Sequence, residues 1–178
     1  MAWGELKFDK TYRIPVALRI SEYMLADHGI TVPARRSGAI SAVTITGVPV
    51  LFKEDDSREY VTQIAKGECK LIPHYIASLR STWRILGDGC RWQDSSGNAH
   101  DDTIGIAAVV SDGIGVPMMF NMTAFQDTAK LTAYILYQNK LPPSAVRVTR
   151  DCPEFITSRW KVFRQSVREW LTKLGRKE

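Results

Sequence analysis

Apolar and polar residues alternate strictly from Thr11 to Ile20, in the stretch "TYRIPVALRI". Tyr12, Ile14, Val16, Leu18 and Ile20 fall on one side, and Arg13, Pro15, Ala17 and Arg19 on the other. A period of two predicts a half-buried strand. Pro15 has no N–H to give to a ladder, so an edge position suits it. The following "SEYMLADHG" predicts a short helix capped by Ser21 and stopped by Gly29. After a loop, "TVPARRSG", the runs "AISAVTIT" and "VPVLFK" flank Thr46-Gly47 and predict a hairpin. The charged run from Lys53 to Glu59 reads as a solvated turn or helix start, and "SREYVTQIAKG" as a helix.

A helical period takes over further on. In "IPHYIASLRSTWRILGDG", Ile76, Leu79, Trp83 and Leu86 stand three or four apart, which predicts an amphipathic helix ending near Gly87. A short strand at 91–93, a polar turn "DSSGNAHDD", the apolar run "TIGIAAVV" and the segment "VPMMF" read as an antiparallel meander. "TAFQDTAKLTAYILYQNK" predicts a well-buried helix, with Thr123 and Gln126 at capping-box spacing. A short strand "AVRVTR" precedes the last helix, for which Asp151 and Glu154 have the same spacing. On that helix Phe155, Ile156, Trp160, Phe163, Val167, Trp170, Leu171 and Leu174 form one stripe, with Lys161 and Arg168 opposite and Arg164 at its flank.

This order predicts an α+β fold: an antiparallel or mixed sheet, two to three helices packed on it, and a long amphipathic C-terminal helix. The length of 178 residues suits a single globular domain over 1–178. Composition agrees, because 44% apolar and 24% charged residues are those of a folded globular chain. No run approaches the ~18 apolar residues of a membrane span. Residues 1–10 carry Glu5, Lys7, Asp9 and Lys10 and lack the apolar core of a secretory signal, which points to the cytoplasm. Cys69, Cys90 and Cys152 have no CxxC spacing, so they suggest neither a disulfide framework nor a zinc ligand set.

Charge changes this picture at one place. The chain carries a net +5, and residues 159–178 hold seven basic side chains against Glu169 and Glu178, so that segment alone accounts for all of it. The expected function is therefore non-enzymatic association with nucleic acid, DNA or RNA, through phosphate contacts by Lys161, Arg164 and Arg168. Arg13 and Arg19 on the outer face of the first strand, with Arg35 and Arg36 in the next loop, extend that basic surface. A second expectation is a protein-protein adaptor or subunit of a larger complex, with Trp3 and Trp92 as interface anchors outside the helical stripes. A third is a metal-dependent phosphodiester hydrolase, with His100 and Asp102 as ligands in the loop from Asp94 to Asp102. The residue types of that loop are also those of a plain turn. No cofactor motif is present: Gly113 and Gly115 lack the third glycine and the Lys-Ser/Thr of a phosphate loop.

Overall fold

The computed structural model describes residues 6–48, 56–78, 81–110 and 118–175. Its strands are β1 Lys10–Ile14, β2 Leu18–Glu22, β3 Ala42–Gly47, β4 Tyr75–Ala77, β5 Thr82–Arg84, β6 Trp92–Gln93, β7 Ala99–His100, β8 Thr103–Ala108 and β9 Val146–Val148. Its helices are α1 Asp56–Ala65, α2 Met118–Gln138, α3 Glu154–Thr157 and α4 Trp160–Lys173, plus a 3-10 turn over Leu25–His28. Seven strands form one mixed sheet in the order β1-β2-β5-β4-β8-β3-β9, while β6 and β7 make a separate hairpin. The fold is thus α+β with a mixed sheet and a long C-terminal helix.

The sheet separates two cores. On one face Val43, Ile45, Ile104 and Ile106 meet Phe125, Leu131 and Leu136 of α2. On the other, Ile76, Trp83 and Trp92 meet Tyr60, Val61 and Ile64 of α1. Burying each large side chain contributes about 1.5–3 kcal/mol before entropy is subtracted. The stripe of α4 does pack, with Phe163, Val167 and Leu171 buried. Its main partner is α2: Phe163 meets Phe125 edge-on at 5.3 Å between ring centres. The C-terminal helix therefore forms an outer layer over α2.

Several local readings are corrected. The run from Thr11 to Ile20 is two antiparallel strands, with Ile14 opposite Leu18 and Arg13 opposite Arg19. The turn between them ends on Ala17 at φ 53°, the left-handed geometry of a three-residue hairpin loop. Ser21 belongs to β2 rather than to a helix cap. Thr46-Gly47 is no hairpin turn, because β3 runs parallel to both β8 and β9. The rest of "VPVLFK" beyond Val48, and Leu79, lie outside the described residues. The amphipathic helix expected around 72–89 is instead the antiparallel pair β4–β5, in which Ile76 and Trp83 are cross-strand partners. Helix α2 starts at Met118, so "VPMMF" is not a strand over its described part, and Thr123 lies inside the helix, donating to the Met119 carbonyl at 3.0 Å. Neither α3 nor α4 has a side-chain cap, and Asp151 accepts from the Ser95 hydroxyl instead.

Candidate functional site

Pairing in the sheet centre brings four strand ends together. β4 runs parallel to β8, β8 to β3, and β3 to β9, so all four carboxyl ends lie along one edge. In open sheets with parallel strands, ligands bind in the crevice outside that edge. Thr46, Ala107 and Ile76 lie level with one another there, on the α1 face. The backbone N–H of Thr149, one residue beyond β9, donates to the Ile45 carbonyl, and its hydroxyl donates to the Thr46 hydroxyl at 2.8 Å.

The turn 149–153 closes over the end of β3. Cys152 N–H donates to the Thr149 carbonyl at 3.1 Å, and the cysteine is 8% exposed. A Cβ on Gly47 would stand 2.2 Å from the Asp151 carbonyl oxygen and 3.0 Å from Pro153 Cδ, so only glycine admits this approach. The Ser95–Asp151 hydrogen bond ties the tip of the β6–β7 hairpin to the same turn. The hydroxyls of Thr46 and Thr149 do not ionise near neutral pH. Thr46 is fully buried and holds the half-buried Thr149, whose hydroxyl can orient a carbonyl or a water without withdrawing a proton. No signal in the sequence marked Thr46, Thr149 or Cys152, because only the parallel pairing makes them neighbours.

The loop from Asp94 to Asp102 is built as structure. His100 Nε2 pairs with Asp94 Oδ2 at 2.8 Å, and its ring stacks on Trp92 at 4.3 Å. Burial pushes the Asp94 carboxyl up, but His100 and the N–H groups of Asn98 and Ser96 outweigh it and leave it below its ordinary value. Asp101 accepts from the Ser37 hydroxyl and N–H and from Arg91, which hold it well below the usual carboxylate range. Asp102 accepts instead from Arg147 at 3.2 Å and from Ser41 at 3.3 Å. It precedes β8 and so sits at the edge opposite Thr46. His100 and Asp102 therefore serve different partners. Among the described residues no three His, Cys, Asp or Glu side chains stand together as a metal site.

Among the described residues, the basic positions named from the sequence are divided between the two sides of the sheet. Arg36 is half-buried and turned inward: its guanidinium donates to the carbonyls of Asp88, Asp101 and Cys90 at 2.6, 2.7 and 3.1 Å. Arg35 is exposed in the same loop. Tyr12, Ile14, Leu18 and Ile20 face the α2 core, so Arg13 and Arg19 project from the α1 face. Lys161, Arg164 and Arg168 ride on α4, on the other side of the sheet, and Arg168 shares a depression of about 650 Å³ with Glu169 and Gln165. Trp92 is wholly buried and cannot anchor a partner. Trp3 lies outside the described residues.

His74, between the two sheet faces, is fully buried. Its Nδ1 accepts from the Gly105 N–H at 3.1 Å and its Nε2 meets the Cys90 carbonyl at 2.9 Å, which requires a neutral ring with the proton on Nε2. Burial lowers its pKa to about 3. The unfolded ring takes a proton near pH 6.5 and the folded one near 3, so falling pH favours the unfolded chain across that window. The expected loss is up to about 1.4 kcal/mol per pH unit. The imidazole C–H signals of His74, followed by NMR, should stay fixed from pH 8 to pH 4. A midpoint near 6 would show a solvated ring and refute the burial.

No family model matches the sequence, and no curated protein does. Solved structures do. The catalytic domain of XlyA superposes with a TM-score of 0.63 at 15% identity, over 83% of this chain and 98% of that one. A mutant endolysin from Bacillus subtilis gives 0.65 at 15% identity, over 84% and 99%. The Staphylococcus aureus hydrolase AmiA, solved with its ligand, gives 0.68 at 12% identity, over 97% and 88%. At these identities the likeness is one of fold. It overturns the expectation of a non-enzymatic nucleic-acid binder, because these solved neighbours are named as catalytic domains, endolysins and a hydrolase. A physical reason accompanies it: among the described residues the sheet separates Arg13 and Arg19 from Lys161, Arg164 and Arg168, so these five do not join into one track for a phosphate backbone.

Proposed function

We propose that this domain is a hydrolase acting on a bacterial cell-wall polymer, with an amide as the bond cleaved, at the carboxyl ends of β3, β4, β8 and β9. One observation carries the reading: the likeness spans nearly the whole of domains named as catalytic or as endolysin. Two features of this chain support it. The strand ends lie along the edge outside which open sheets with parallel strands hold ligands. The net charge of +5 draws the domain toward an anionic polymer, and a row of cations on α4 serves that attraction without any sequence reading. The expected hydrolase thus keeps the reaction class of the phosphodiester reading but neither its substrate nor its His100 and Asp102 ligands.

Thr149 is the hydrogen-bonding group assigned to substrate positioning, and the fully buried Thr46 holds its hydroxyl in place. Purified bacterial cell walls incubated with the protein should lose turbidity and release free amino groups, without a matching rise in reducing sugar ends. Thr149→Val keeps the side-chain shape and removes the hydroxyl, and should slow that release by about 10- to 100-fold. Reducing ends in place of amines would overturn the amide assignment. Release of neither product would overturn the hydrolase reading.

A further inference from the structure

A second cavity lies on the α1 face, toward the β1–β2 edge. It encloses about 280 Å³, and Phe8, Thr11, Arg19, Ser21, Arg58 and Trp83 line it. Register explains the lining. Thr11 pairs with Ser21, and Arg13 with Arg19, across the β1–β2 ladder, so all four side chains share one face. Ser21 pairs in turn with Trp83 of β5, which adds the indole to that face. Arg58 comes down from α1, its guanidinium carbon 5.4 Å from the Phe8 ring centre and 6.0 Å from that of Trp83.

Like charges directly opposite on neighbouring strands repel, and Arg13 and Arg19 are so placed. Among the described residues neither they nor Arg58 makes an ion pair, although Glu22, one residue along β2, takes both Lys10 and Arg84 on the opposite face. The Arg58 Nε–H is enclosed and meets no acceptor. Donors therefore converge on a small space: the guanidiniums of Arg19 and Arg58, the latter with its unpartnered Nε–H, and the hydroxyls of Thr11 and Ser21, which stand 3.5 Å apart. Two aromatic rings wall it. Ordinary loop packing does not call for such a set, whereas a bound anion would complete it.

We propose that this cavity binds a carboxylate carried on a small, partly apolar body. A guanidinium matches a carboxylate in plane and spacing, with two parallel N–H···O bonds. The faces of Phe8 and Trp83 suit an aliphatic body beside the charge. The volume corresponds to roughly nine waters at ~30 Å³ each, room for one amino-acid residue with water beside it. Such a carboxylate comes either from a free small acid or from the chain end of a peptide. Binding here stands apart from the reaction at the Thr46–Thr149 edge, and loss of cell-wall hydrolysis would leave it intact.

The test uses the full chain and titration followed by NMR, reading the Trp83 indole N–H and the Arg58 Nε–H. The probes are N-acetylalanine, its neutral amide, an N-acetylated tripeptide with a free carboxylate, and inorganic phosphate. N-acetylalanine should shift both signals, with the amide at least tenfold weaker. Arg58→Gln and Arg19→Gln should each weaken the carboxylate by about tenfold or more; Arg19 is exposed, so its variant keeps the fold when that of Arg58 does not. A tripeptide at least tenfold tighter than N-acetylalanine identifies a peptide chain end, and equal affinities identify a free acid. Equal binding of acid and amide, unchanged binding to Arg19→Gln, or phosphate bound more tightly than either carboxylate would overturn the proposal.

Discussion

Gly105→Ala is expected to destabilise the protein by about 3 kcal/mol, at the upper end of what overpacking a core costs. The added Cβ would stand 2.3 Å from Trp92 Cδ2 and 2.7 Å from Cγ and Cε3. The indole cannot retreat. It is fully buried, its Nε1–H donates to the Thr103 hydroxyl at 2.8 Å, and His100 stacks on its other side at 4.3 Å. The strand cannot retreat either, because β8 lies between β3 and β4 and the Gly105 N–H is held by His74 Nδ1. In a domain of this size each kcal/mol moves the thermal midpoint by about 2–4 °C, so a drop of roughly 6–12 °C should be seen. In a Trp92→Leu background the same substitution should cost much less, since the clashing ring is gone. An unchanged midpoint in the parent background would refute this packing.

That contact shows why the sequence is readable in parts only. Where partners are local, the pattern works. The alternation from Thr11 to Ile20 names the buried and exposed sides correctly even though a turn splits it, because Ile14 and Leu18 stay on one face across the hairpin. The stripe of α4 is likewise set by one helix's own period. Where partners are distant, the pattern misleads. Ile76 and Trp83 mimic two turns of a helix but face each other across two strands. β3 is buried along its whole length because both sheet faces are covered, which its alternation of threonine with valine and isoleucine does not announce. The candidate site belongs to this second class. Thr46 and Thr149 are 103 residues apart and meet only because β3 and β9 are parallel neighbours. Arg36 is harder still, since an arginine in a Gly/Ser/Pro loop carries no mark of the carbonyls it will serve.

Arg36→Met should cost about 2–4 kcal/mol, although the residue sits in a loop and was a natural choice for a surface contact. The guanidinium ties three segments: Asp88 and Cys90 after β5, Asp101 before β8, and its own loop, whose Arg36 N–H also donates to the Gly89 carbonyl at 2.9 Å. Burial lowers its pKa while the nearby carboxylates of Asp88 and Asp101 work against that, so the cation persists among carbonyl oxygens that need it. Each hydrogen bond to a charged donor is worth about 1.5–3 kcal/mol, and an abandoned carbonyl costs about 1–3 kcal/mol where water cannot reach it. Methionine keeps the stem's volume, so the loss reports the donors rather than a cavity. Lysine should recover only part of it, because one ammonium cannot reach three carbonyls set around a planar fork. Urea unfolding of the three proteins measures this order directly. A methionine variant within about 0.5 kcal/mol of the parent would mean that the side chain faces water, and that the loop from Thr31 to Gly38 is held by its backbone and by Ser37 on Asp101.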